Sequence, residues 1–122
     1  DLLNPVSCGA AGPAFLLEHF EKLQQNKIPV YWAAGTVDDP DRWPEAVTLP
    51  SNVHLFSKKQ VEPIVYRRNG APLATILGRS NDGRESIRSA EFSMDEDDTY
   101  VIAIAHGNAE NRWLANASII GH

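Results

Sequence analysis

Residues 28–35 read IPVYWAAG, an almost unbroken apolar run that stops at Gly35, and the chain then turns polar at Thr36-Val37-Asp38-Asp39-Pro40. A strand without polar alternation is one buried on both faces, as in a parallel sheet covered by helices. Residues 12–27, GPAFLLEHFEKLQQNK, lead into it. There Leu16, Phe20 and Leu23 fall on one helical face, and Glu18 and Lys22 make a favourable i,i+4 pair. Pro13 suits the first turn of that helix and Asn26 its end. Residues 1–12, DLLNPVSCGAAG, read as a strand end and a Gly-rich loop. Residues 1–35 thus predict a βαβ unit and, with it, an α/β fold.

Further along, NVHLFS (52–57) is a short strand. VEPIVYRRNGAPLATILGRS (61–80) has two β-rich runs around Asn69-Gly70, a strong hairpin signal. Residues 81–98 read as polar loop with a short helix near RESIRSAEF. YVIAIAHG (100–107) predicts a second strand buried on both faces, ending on His106. AENRWLAN predicts a helical turn, and ASIIGH a last short strand ending on His122. The sum is one domain over residues 1–122, with mixed β-sheets flanked by helices.

The composition narrows the function. Of 122 residues, 43% are hydrophobic and 22% charged, which places the chain among folded domains. The net charge of −5 argues against independent binding to nucleic acid, whose phosphates select basic surfaces. The single cysteine, Cys8, rules out an internal disulfide and points to a reducing, cytoplasmic setting. No apolar run approaches the ~18 residues of a membrane span, and no signal peptide is expected. The chain opens on DLLNP without an initiator Met, as a fragment of a longer protein would.

Four polar residues stand at the ends of apolar runs: Asp1, Asp38, His106 and His122. Open α/β sheets bind ligands at such strand ends. Two imidazoles and carboxylates suit a transition metal, which could polarise a phosphoryl oxygen and activate water. The plainer alternative is that strands end in polar residues because they end in water.

The order of Asp1-Leu2-Leu3-Asn4, AAGTVD (33–38), IAHG (104–107) and IIGH (119–122) resembles the calcineurin-like metallophosphoesterases, closest to the DNA-repair exonucleases of the SbcD kind. FLLEHFEKLQQNKIPVYWAAG is similar to that family's helix and strand before its Gly-Asn-His-Asp motif, and LPSNVHLFS to the segment that follows. The resemblance implies metallophosphoesterase-like sheets in a sandwich and a divalent metal, Mn or Zn. Asp1 would match the Asp that bridges the metals, and Asn4 the place of a second Asp. Gly35 and Asp38 would match the ends of the third motif, His106 the lone His ligand, and Gly121 with His122 the start of the last. Asp1, His106 and His122 are therefore the implied metal ligands.

The departures matter as much. Thr36 stands where the family has a metal-binding Asn, and Val37 where it has the His that protonates the leaving group. An isopropyl group transfers no proton. The Asp-x-His motif is absent from this sequence. The expectation is a metallophosphoesterase-like domain with weak or lost catalysis, no assigned catalytic residue, and a metal bound weakly or not at all. Its partners would be a protein or a second copy of the chain, with nucleic acid implied by resemblance alone. The alternatives are an active phosphodiesterase or nuclease completed by residues outside the chain, and a non-catalytic binding module.

The remaining polar and aromatic residues have simpler readings. His19 is expected to pack on the helix, His54 to point to solvent, Trp32 to lie in the core and Trp43 to cover it. Cys8, Ser7 and Ser118 lack the neighbours a nucleophile needs. Arg67 and Arg68 make a small basic spot beside the hairpin turn, and MDEDD (94–98) reads as a solvated acidic loop.

Overall fold

The computed structural model describes residues 2–94 and 100–107. Helix α1 (Ala11–Gln25) leads to β1 (Val30–Trp32), β2 (Val53–Leu55), β3 (Glu62–Arg68), β4 (Ala71–Arg79) and β5 (Tyr100–Ala105). Strands β1 and β2 pair in parallel. A second sheet has the order β3-β4-β5, with β3-β4 antiparallel and β4-β5 parallel. The fold is α/β with one α-helix, two short 3-10 turns (Pro40–Arg42 and Ser89–Phe92) and two open sheets among the described residues.

The helix forms where its periodicity places it, and Asn26 closes it by folding its side-chain amide onto the Lys22 carbonyl at 2.8 Å. Glu18 and Lys22 pair at 2.6 Å on the exposed face. Strand alternation then sorts side chains into layers. Val30, Trp32, Val53 and Leu55 face the helix and pack with Leu16, Phe20 and Leu23. Tyr31, Ala33 and Phe56 face the other way, against Ala74, Ile76, Ile64 and Tyr66 of the second sheet. From Ala74 onward β4 is buried on both faces: Leu77 turns to Ile87 and Phe92 of the segment after it. The hairpin turns at Asn69 (φ 53°) and Gly70 (φ 81°), the pair of left-handed residues that a tight two-residue turn needs.

Three expectations are corrected. Residues 2–10 hold turns and no strand, so the βαβ unit lacks its first strand among the described residues. The Leu2 amide goes to the Asp38 carboxylate at 2.8 Å instead of to a ladder. Strand β5 is not buried on both faces. Among the described residues it pairs only with β4, and Tyr100 is 83% exposed, with Val101 and Ile102 about half so. His54 is half-buried, not solvated: it lies edge-on to Phe56 and its Nε2 is 3.0 Å from Glu62. Trp32 is in the core, and Trp43 covers it edge-on. The helical turn and last strand expected over 109–122 fall outside the described residues, as does most of the acidic run after Met94. No helix among the described residues is long and apolar enough to cross a membrane.

Candidate functional site at the strand ends

The C-terminal ends of β1, β2 and β4 are stitched together. The Ser80 amide donates to the Ser57 carbonyl and the Asn81 amide to the Ala34 carbonyl. The Ser80 hydroxyl donates to the Phe56 carbonyl at 2.5 Å and accepts from the Ala34 amide at 2.9 Å. Ser80 is fully buried, so one hydroxyl serves both sheets with no water needed. Because β5 runs parallel to β4, His106 emerges at the same edge.

A cavity of about 310 Å³ opens at this edge. Its lining includes Thr36, His106 and Gly107 on one side and Asn81, Gly83, Arg84 and Ser86 on the other. The wall at 81–86 is built by a local network. The Asn81 side-chain oxygen accepts from the Gly83 amide at 2.9 Å, and its amide nitrogen donates to the Glu85 carbonyl at 3.0 Å. Gly83 (φ 82°) and Gly107 (φ 137°) both occupy the glycine-favouring region. A Cβ at Gly83 would press on the Thr36 methyl, and one at Gly107 on the Asn81 amide nitrogen. Two glycines thus let the walls approach.

Asp38 lies apart from this cavity, with its side chain fully buried. It accepts hydrogen bonds from the Leu2 amide at 2.8 Å, the Trp32 indole at 3.0 Å and the Gly35 amide at 2.7 Å. Burial pushes its carboxyl up, but the N–H groups of Leu2, Gly35 and Trp32 more than reverse that and hold it below the ordinary value. The Asp38 carbonyl also accepts from the Trp43 indole at 3.1 Å. The 35–38 turn is therefore pinned around a carboxylate that faces inward, and this pinning sets where exposed Thr36 stands.

Lys58 ties the loop after β1 to the 81–86 turn. Its ammonium meets Asp39 at 2.9 Å, Asp41 at 2.6 Å and Asp82 at 3.5 Å. The carboxylate hydrogen bonds to Asp41 and Asp39 raise the Lys58 pKa far above its ordinary value. Burial pushes Asp39 up, and its bonds to Lys58 and the Asp41 amide outweigh this and hold it low. A depressed carboxylate stabilises the fold above its unfolded pKa of ~3.9 and loses that contribution as pH falls through the folded value. The raised Lys58 contributes stability that is fully present below its unfolded pKa of ~10.4 and is lost as pH rises through the higher folded value, so the clamp is whole between the carboxylate and ammonium limits. Lys58→Met is expected to cost about 1 kcal/mol, because three carboxylates are left facing one another. Denaturation at low and at molar salt checks this: the deficit should shrink as salt screens the repulsion.

Of the sequence candidates, the cavity brings Thr36 and His106 together. Gly35 is buried beneath it, and Val37 is half-buried in the adjoining turn. Asn4 is spent locally, its side-chain oxygen accepting from the Val6 and Ser7 amides at 3.0 and 3.2 Å. Asp1, Gly121 and His122 lie outside the described residues. Asn81, Arg84 and Ser86 had no motif to single them out; the Asn-Asp-Gly turn signal at 81–83 was the only trace of their geometry. Among the described residues no three His, Cys, Asp or Glu side chains are grouped to hold a metal ion. The cavity offers an imidazole, two hydroxyls, an amide already bonded twice, and Glu85, which pairs with Arg79 at 2.6 Å. That donor set does not fit a two-metal centre, which calls for several carboxylate and imidazole ligands.

The chain is similar to a Bacillus subtilis protein named uncharacterized metallophosphoesterase YhaO, with 29% identity over 115 residues. The match takes in 88% of this chain and 27% of the relative, so the chain spans about a quarter of that protein's length. This likeness supports the metallophosphoesterase family. No protein-family model matches the chain. No solved structure matches it.

Proposed function

We propose that the chain is a metallophosphoesterase-like domain, related to the SbcD type of DNA-repair exonuclease, in which the strand-end cavity receives a phosphoester and hydrolysis is weak or lost. The observation that carries this reading is the meeting of Thr36 and His106, from two separate motif positions, in one polar cavity at the C-terminal strand ends. The distant likeness to YhaO supports the same chemistry. Val37 supports the loss of hydrolysis, since no proton donor stands where the resemblance requires the general acid. The described residues in turn 35–38 hold and shape: Asp38 anchors the turn through the Gly35 amide, and Thr36 brings a hydroxyl to the cavity lining. The implied metal would supply Lewis acidity and an activated water, and its ligands would include Asp1, His106 and His122. A protein partner or second copy belongs to the same proposal, and the exposed apolar residues Tyr100, Val101 and Ile102 of β5 support it.

The experiment is hydrolysis of bis-p-nitrophenyl phosphate with Mn²⁺. The expected rate is near background for the chain and also for Thr36→Asn/Val37→His, because restoring an acid worth ~10²–10⁴ in rate does not restore the Asp-x-His ligands. Turnover by the unmodified chain that a chelator abolishes would replace this reading with an active phosphodiesterase.

A further inference from the structure

The charges around the cavity are unevenly spent. Among its described lining residues Arg84 is the one guanidinium and Glu85 the one carboxylate. The Glu85 carboxylate is taken by Arg79, a side chain itself only 10% exposed and also held by Glu91. Asp82, the acidic side chain paired with Arg84 among the described residues, approaches it only to 3.5 Å and shares its charge with Lys58. The Arg84 side chain is 85% exposed, so its cation stands at the rim without a tight partner. Thr36, Ser86 and His106 line the same cavity and bring two hydroxyls and an imidazole to it. An oxyanion is the ligand such a set recognises: a guanidinium makes paired, charge-assisted bonds to phosphate oxygens, and hydroxyls donate to the rest. The pinned 81–86 turn and the two glycines hold those donors in place before a ligand arrives, which lowers the ordering cost of binding.

We propose that this cavity holds a phosphoester anion directly, through the Arg84 guanidinium and the hydroxyls of Thr36 and Ser86, with no divalent metal between protein and phosphate. The proposal rests on the phosphoester reading above and differs from it in the means of holding. Arg84 is the selecting residue. Lys59 lines a neighbouring cavity that shares Asn81, Arg84 and Glu85 with this one, but it does not line this one and is not part of the grip.

Calorimetric titration of the 122-residue chain with dimethyl phosphate and with methyl phosphate, in EDTA, tests this, and a parallel dimethyl phosphate titration uses Mn²⁺. Saturable binding of at least one probe is expected in EDTA, and the tighter probe tells diester from monoester. Arg84→Met should weaken it about tenfold or more, as loss of a hydrogen-bonded charge does. Arg84→Lys should recover part of the affinity, and Lys59→Met should leave it unchanged. Arg84 is exposed, so its replacement does not put the fold at risk. Binding that needs Mn²⁺ overturns the proposal and leaves the metallophosphoesterase-like reading standing. No binding in either medium overturns both. Equal losses from Arg84→Met and Lys59→Met overturn the proposal by reducing the effect to general surface charge.

Discussion

Asp38→Ala is expected to lower the free energy of unfolding by about 3–5 kcal/mol, a large part of a typical domain's stability. The side chain is fully buried and accepts from Leu2, Gly35 and Trp32, so truncation strands three donors at once. Each stranded buried donor costs roughly 1–3 kcal/mol, and the sum is tempered because the turn relaxes. Asp38→Asn should fall between wild type and alanine: it keeps the shape but turns an NH₂ toward groups that can only donate. The pH dependence follows from the depressed carboxyl. Its contribution is present above the unfolded value of ~3.9 and disappears as pH falls through the lower folded value. Wild type and Asp38→Ala should therefore differ most near neutral pH and converge in acid. Urea denaturation at several pH values measures both effects, and a neutral-pH loss below about 1 kcal/mol would mean that the three bonds carry little. Because the same carboxylate sets the 35–38 turn, the variant should also displace Thr36 from the cavity.

Gly78→Ala is expected to destabilise the protein by about 3 kcal/mol, at the upper end for overpacking by one methyl group. Ordinarily alanine in place of a strand glycine is favourable, since glycine loses more freedom on folding. Here the sign is set by Phe56. A Cβ at Gly78 would overlap three atoms of the Phe56 ring. That ring is wholly buried, stacked on Tyr31 and edge-on to His54, between the two sheets. It has no open side to retreat into. A double-mutant cycle separates this overlap from a simple strand effect. Phe56→Leu alone should be costly, but Gly78→Ala added to it should cost far less than in the wild type. Additive losses would show that the ring and the glycine do not share the space.

Much of the fold was legible because it depends on near neighbours. The 3.6-residue spacing of Leu16, Phe20 and Leu23 specifies a helix and its buried face together, and Asn69-Gly70 specifies a turn by the backbone angles those two residues tolerate. The place of His106 at the cavity was legible for the same reason: it follows an apolar strand, and parallel strands deliver their ends to one edge, whereas Thr36 was singled out only through the family resemblance. The rest required the tertiary structure. The run YVIAIA states only that β5 is apolar. How many strands flank it is decided elsewhere, and Tyr100 stands 83% exposed. A carboxylate at position 38 reads equally as ligand or anchor. The choice fell to Trp32 and Leu2, whose N–H groups converge on it from other parts of the chain. Asn81, Arg84 and Ser86 reach the cavity because Ser80 and Asn81 bond to residues some 46 positions away, and no local pattern encodes that meeting. Gly78 is the sharpest case: its local chemistry says only that a side chain is missing, and Phe56 supplies the reason from 22 positions earlier in the sequence. Helix and turn propensities are short-range properties of the backbone, whereas packing, charge pairing and burial are set by which distant atoms fill the remaining space.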